Sequence, residues 1–315
     1  MEPTNELIDF YATGCVYVAA ESWLGLYQRE PSIITRADER ANILYSAEEC
    51  FTVGGLDWVA RFWDVTGDLY NHGYWTEFER IESLCLLTAQ AQRDREREAM
   101  IRNELGFLGI QRGDYARAEK EVQAALTLFI SLDDLYGVLI SERYLATISL
   151  ARGEYALARQ QFGALLEAVR GQLRHATKHA ARLERQERFA HEGLGITLRE
   201  LGDLEGAERE LELGNLGADA KTVAISRLNL AKLRTKQNRL VEAVELSNAC
   251  LNSCRELDLP DIAALALENL AEIAAASGDN ASASTYAGEA WKIYRHLGII
   301  AGADRVVTFI STLNA

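Results

Sequence analysis

Two pairs of side chains stand four residues apart, the spacing that puts both on one side of a helix and lets them share a metal ion. They are His175 with His179 and Cys250 with Cys254. Neither pair has a third ligand at a fitting spacing, so no metal site is expected. The chain also lacks the Gly-x-Ser-x-Gly turn of a serine nucleophile, the His-Glu-x-x-His pair of a metalloprotease and the glycine fingerprint of a dinucleotide fold. No catalytic residue and no cofactor is nominated, and the chain reads as non-enzymatic. The enzyme alternative is a hydrolase site on the same scaffold that no motif reveals.

Charge offers a second chemistry. Residues 155–191 hold seven Lys/Arg against three acids in a chain whose net charge is −14. Arg170, Arg174, Lys178 and Arg182 recur every four residues, so one extended helix would carry them on one face. Such a row is either a solvated face or a dock for an acidic partner, an acidic surface of a second copy, or RNA. The acidic balance as a whole argues against general nucleic-acid binding, which needs clustered cations to displace counterions from phosphates.

The elements that would position these groups announce themselves by repetition. Val65, Leu105, Leu145, Leu194, Leu230 and Leu270 are separated by 40, 40, 49, 36 and 40 residues. Eight residues after each stands Gly73, Gly113, Gly153, Gly202, Asn238 or Gly278, types that accept the left-handed conformation closing a helix. Five further on come Phe78, Ala118, Ala158, Ala207, Ala243 and Ala283, so in five of six units only a methyl group separates two helices. Each unit is therefore a helical hairpin. A lone hairpin cannot bury its apolar face but stacked ones can, and the expected fold is an all-α, right-handed α-solenoid of stacked helical hairpins.

Residues 1–55 show two helical patterns, near 5–28 and 36–53, without the glycine turn, and read as a divergent capping hairpin. Residues 56–297 carry the six repeats, and residues 298–315 a capping helix whose Val306, Val307, Phe309, Ile310 and Leu313 would cover the stack while Asp304 and Arg305 face water. Three prolines and an apolar share of 48% suit long helices around an ordinary core. Five scattered cysteines suit reduced, mostly buried thiols. Glu2, Glu6 and Asp9 stand where a secretory leader would be basic, and no apolar run reaches membrane-spanning length, so a cytoplasmic protein without membrane contact is expected.

The run LGFLGIQRGDYARAEKEVQAAL, Leu105 to Leu126, resembles a tetratricopeptide repeat in its Leu-Gly, its Gly-Asp-Tyr turn and its two alanines. The usual terminal proline is missing, and Ser131-Leu132-Asp133-Asp134 makes the break instead. The period near 40 is similar to the extended repeats in the C-terminal sensor arms of bacterial STAND-class signalling ATPases. No Gly-x-x-x-x-Gly-Lys-Ser/Thr loop accompanies it, so the kinship is with the arm alone.

The resemblance implies a concave groove lined by first helices, at positions two before each anchor and two, five or six after it. Carried over, it nominates Trp63, Tyr70, Asn103, Phe107, Arg143, Arg199 and Lys232, with Gln111, Thr147, Glu192 and Ile196 among their neighbours; packing between neighbouring units is the alternative role of Trp63, Tyr70 and Phe107. Asn229 and Asn269 precede their anchors by one, where related repeats grip a bound peptide's backbone; a local inter-helix hydrogen bond is the plainer role. The family's clamp for C-terminal carboxylates is not reproduced, since the position of Asn229 is Glu104 and Tyr144 in other units. The expected function is a protein–protein interaction adaptor holding a peptide or protein partner in the groove, with self-association open. The alternative is a ligand- or peptide-sensing regulator that changes shape on binding.

Overall fold

The computed structural model describes residues 5–174, 180–216 and 219–313, and what it describes is helices joined by short turns. The chain divides into two compact units, Met1–Leu105 and Gly106–Ala315. The division falls inside a helix of the repeat array, where the sequence carries no linker.

In the first unit, α1 (Asn5–Arg29) and α2 (Ala37–Thr52) match the two early patterns, joined by a 3₁₀ turn at Pro31–Thr35. After them come α3 (Leu56–Arg61), α4 (Trp63–Asn71), α5 (Trp75–Gln92) and α6 (Arg95–Arg112), the last continuing into the second unit. The second unit goes on with α7 (Tyr115–Ser131), α8 (Leu135–Ala151), α9 (Tyr155–Leu173), α10 (Ala180–Leu201) and α11 (Leu204–Gly214). It ends with α12 (Ala220–Lys236), α13 (Leu240–Glu256), α14 (Pro260–Ala276), α15 (Asn280–Leu297) and α16 (Ile300–Leu313).

All six turn residues of the repeat are left-handed, from Asn238 at φ 59° to Gly202 at φ 86°. Asp114, Asp203 and Asp279 then cap the following helices, accepting from the amides of Arg117, Gly206 and Ser282. The five alanines are fully buried. A Cβ on Gly109 would lie 3.0 Å from that of Ala118, which measures how closely the end of α6 approaches α7. Turns between successive hairpins use Asp133 and Asp258 at positive φ without glycine.

Consecutive helices of the second unit pack as pairs, and the inner helices α8, α10, α12 and α14 also touch one another in series. This is the stacked-hairpin fold of the tetratricopeptide type. Phe162, Leu165, Val169, Leu183 and Ala190 make one of its core clusters. At the far end Val306 is buried, but Val307 is 53% exposed; Asp304 and Arg305 are exposed as expected, Arg305 pairing with Glu268 at 3.0 Å. α16 also comes against the α6–α7 turn, since a Cβ at Gly113 would lie 2.9 Å from the Ala301 Cβ.

Candidate functional site: the inner face of the second unit

A cavity of about 460 Å³ opens between the inner helices of the second unit. From α8 it takes Tyr136, Ile140, Arg143, Tyr144 and Thr147, and from α10 Arg185, Gln186, Phe189, Glu192 and Ile196; both sets follow the 3–4 residue spacing of one helix face. Phe107 and Gln111 of α6, Phe162 of α9 and Lys221 and Ile225 of α12 add to the walls. Of the residues nominated from sequence, Phe107, Gln111, Arg143, Thr147, Glu192 and Ile196 come together here.

Arg143 is held on three sides. Its guanidinium lies 4.4 Å from the Tyr144 ring centroid and 4.7 Å from that of Phe189, and its Nε donates to Gln186 Oε1 at 3.0 Å. Gln186, itself buried, donates onward to the Tyr136 hydroxyl at 3.3 Å. Phe107 stacks on Tyr144 with centroids 5.2 Å apart. Cation–π contacts and the amide fix the guanidinium plane while leaving its terminal nitrogens without a hydrogen bond among the described residues.

Glu192 is the single acid of the cavity against Arg143, Arg185 and Lys221. Its Oε1 accepts from Asn229 Nδ2 at 2.6 Å. Burial pushes its carboxyl up to about 7, opposed by the charge of Arg143 and the Asn229 hydrogen bond. The site therefore changes charge near neutral pH.

The remaining nominations lie elsewhere. In the first unit the Trp63 indole donates to Glu82 Oε1 at 3.1 Å and to Glu104 Oε2 at 3.0 Å, bridging two acids, one of them fully buried. Burial first, and then the charge of Glu104, raise the Glu82 carboxyl well above its ordinary range. Tyr70 stacks on Trp75 at 5.6 Å, and Asn103 is buried. Trp63 and Tyr70 thus hold helices together instead of lining a groove. Asn269, 1% exposed, donates to Ser247 Oγ at 2.9 Å and accepts from Thr235 at 3.3 Å, so its amide ties α12, α13 and α14 from a buried position.

Arg199 is 8% exposed and bound to Glu200 at 2.8 Å, and Lys232 is half-buried, its ammonium lowered by burial and then by the charge of Arg199. Neither lines the cavity around Arg143.

The basic row is not on one helix, because α9 ends at Leu173 and α10 opens at Ala180. Arg170 is exposed and engaged by neighbours, donating to Glu187 at 2.7 Å and meeting His191 Nε2 at 3.1 Å, while His191 Nδ1 meets Glu210 at 2.6 Å. Arg174 caps α9, and Arg182 lies 5.8 Å from the Tyr136 ring. Lys178, His175 and His179 lie outside the described residues. Cys250 and Cys254 face each other at 3.8 Å in the core.

Sequence reasoning missed Tyr136, Ile140, Arg185, Phe189, Lys221 and Ile225. The signal was present: Tyr136, Arg185 and Lys221 stand nine before their anchors, and Ile140, Phe189 and Ile225 five before. Extending the nominated register by one and two turns finds them all.

No family model matches the chain, and no curated protein does. Solved structures do. A Rap protein complexed with competence and sporulation factor is similar over 100% of this chain and 88% of its own, with TM-score 0.57 and 12% identity. The apo form of the quorum sensor NprR from B. thuringiensis is similar over 99% and 89%, with TM-score 0.54 and 14% identity. Aspartyl phosphate phosphatase F from Bacillus subtilis is similar over 100% and 85%, with TM-score 0.52 and 12% identity. At such identities the likeness is one of fold.

Proposed function

We propose that this chain is a non-enzymatic regulator that binds a peptide or protein segment on the inner face of its second unit. The observation that carries this reading is the cavity around Arg143, where aromatic rings, three cations and one half-buried acid converge in an otherwise acidic chain. Aromatic and Arg side chains in a partly enclosed pocket are the types that anchor bound segments. The fold is similar to that of a protein complexed with competence and sporulation factor and to that of a quorum sensor, which fits signal binding.

Hydrolysis is not proposed, although one similar fold is called a phosphatase. Two inner-face acids are already engaged, Glu192 by Asn229 and Glu268 by Tyr294 and Arg305. No described helix is long and apolar enough to cross a membrane, which accords with a cytoplasmic setting. The test is retention of a random hexapeptide pool by the wild-type protein and by Phe189→Ala. Loss of retention in the variant is expected; equal retention by both would remove the groove from the account.

A second reading is favoured by the contact between Gly113 and Ala301. If that contact opens or tightens around a ligand, the protein is a sensor whose shape changes with occupancy, which requires the ligand to bind the two shapes unequally. Small-angle scattering with and without a retained peptide tests this, and superimposable profiles count against it.

A further inference from the structure

Arg143 is the one cation of the inner cavity held by two aromatic rings and an amide while its terminal nitrogens stay without a hydrogen bond among the described residues. The Tyr144 and Phe189 rings lie 4.4 and 4.7 Å from the guanidinium, and Gln186 accepts from Nε. Two parallel N–H donors in a fixed plane match the two oxygens of a carboxylate, and the pairing is stronger where the cation is already ordered. The walls within reach of the guanidinium edge are Phe107, Ile140, Phe189 and Ile196.

Resting on the peptide reading above, we infer that the occupant presents a carboxylate to the open edge of Arg143 beside an apolar side chain, and that this carboxylate takes over from Glu192 as the counter-charge of Arg143.

Glu192 has a reason to yield. It is an acid held ionised against burial partly by the charge of Arg143. A second carboxylate at Arg143 removes that help and adds a repulsion, so Glu192 takes up a proton as the ligand binds. The other titratable groups facing the cavity are Tyr136 and Tyr144 from α8, Arg185 from α10 and Lys221 from α12; the cavity walls from α6 and α9 carry none. Glu192 is thus the only acid in the cavity able to take up the proton near pH 7.

The carboxylate has two sources, a free chain end or an Asp or Glu side chain, and one experiment separates them. Random hexapeptides are offered to the intact protein as a free-acid pool and as a C-terminally amidated pool, and the retained peptides are measured by calorimetry at pH 7 in buffers of different ionisation enthalpy. A chain-end carboxylate predicts retention from the free-acid pool, with amidation of the best binder weakening it about ten- to a hundredfold. A side-chain source predicts that the amidated pool yields Asp- or Glu-containing peptides instead. In either case Arg143→Gln weakens binding to a similar extent, Arg143→Lys restores part of it, and the wild type takes up to about half a proton per peptide, an uptake that Glu192→Gln abolishes.

Peptides that bind Arg143→Gln as they bind the wild type, or that bind with no proton uptake, overturn this inference and leave the peptide reading standing. Failure of both pools to bind the wild type overturns that reading and the inference with it.

Discussion

Asn229 on α12 donates its side-chain amide to the Glu192 carboxylate on α10 across 2.6 Å, joining two inner helices at the wall of the cavity. The pair shows how this scaffold builds a site: residues that stitch one hairpin to the next also set the charge of the surface they leave open. Asn229→Ala removes the donor and strands the acid, so stability should fall by about 1–2 kcal/mol and the Glu192 carboxyl should move further up, as read by NMR titration.

Glu192→Gln should act in the opposite sense at high pH. The folded protein holds the Glu192 carboxyl near 7, above its ordinary range, so the group favours the folded state least when ionised. Wild-type stability relative to the variant is therefore unimpaired near pH 4.5, falls as pH rises toward 7 and levels off above it. At pH 8 the variant should be more stable by about 1–3 kcal/mol, with the difference vanishing near pH 5 in parallel urea titrations.

The same sign applies to Glu82 in the first unit, whose carboxyl is raised by burial and by Glu104. Glu82→Gln keeps an acceptor for the Trp63 indole and supplies a donor to Glu104, so its melting temperature should exceed that of the wild type at pH 8. Trp63→Phe removes the donor both acids share and should destabilise by about 1–3 kcal/mol.

The turn residues give a cleaner comparison. Gly202 sits at φ 86° with nothing within 4 Å of where a Cβ would stand, so Gly202→Ala meets backbone strain alone and should cost about 1 kcal/mol. Asn238, at φ 59°, already accepts that conformation, and Asn238→Gly should change stability by less than about half that amount. In contrast Ala158→Leu forces bulk between α9 and its neighbours and should cost about 1–3 kcal/mol by overpacking.

Much of the fold was legible because close hairpin packing constrains small residues absolutely: Gly113 and Ala118 tolerate few replacements, so their spacing reports structure directly. The site was legible by halves. A register on one helix face identifies Phe107, Arg143 and Thr147, but cannot tell a side chain that faces the cavity from one a residue away that joins the seam between inner helices, as Asn269 does. The two roles open to Trp63 could not be separated for a related reason, since its partners Glu82 and Glu104 lie 19 and 41 residues away and no local pattern links them. The basic row misled because period-four spacing carries no information about where a helix stops.

The most direct test of the account uses isoleucine methyl NMR with a hexapeptide retained by the intact protein. Ile140, Ile196 and Ile225 line the cavity, while Ile33, Ile34 and Ile43 are buried in the first unit. The account predicts saturable shifts at the first three and none at the second three. Saturable shifts at Ile33, Ile34 or Ile43 with the cavity methyls unmoved would contradict it.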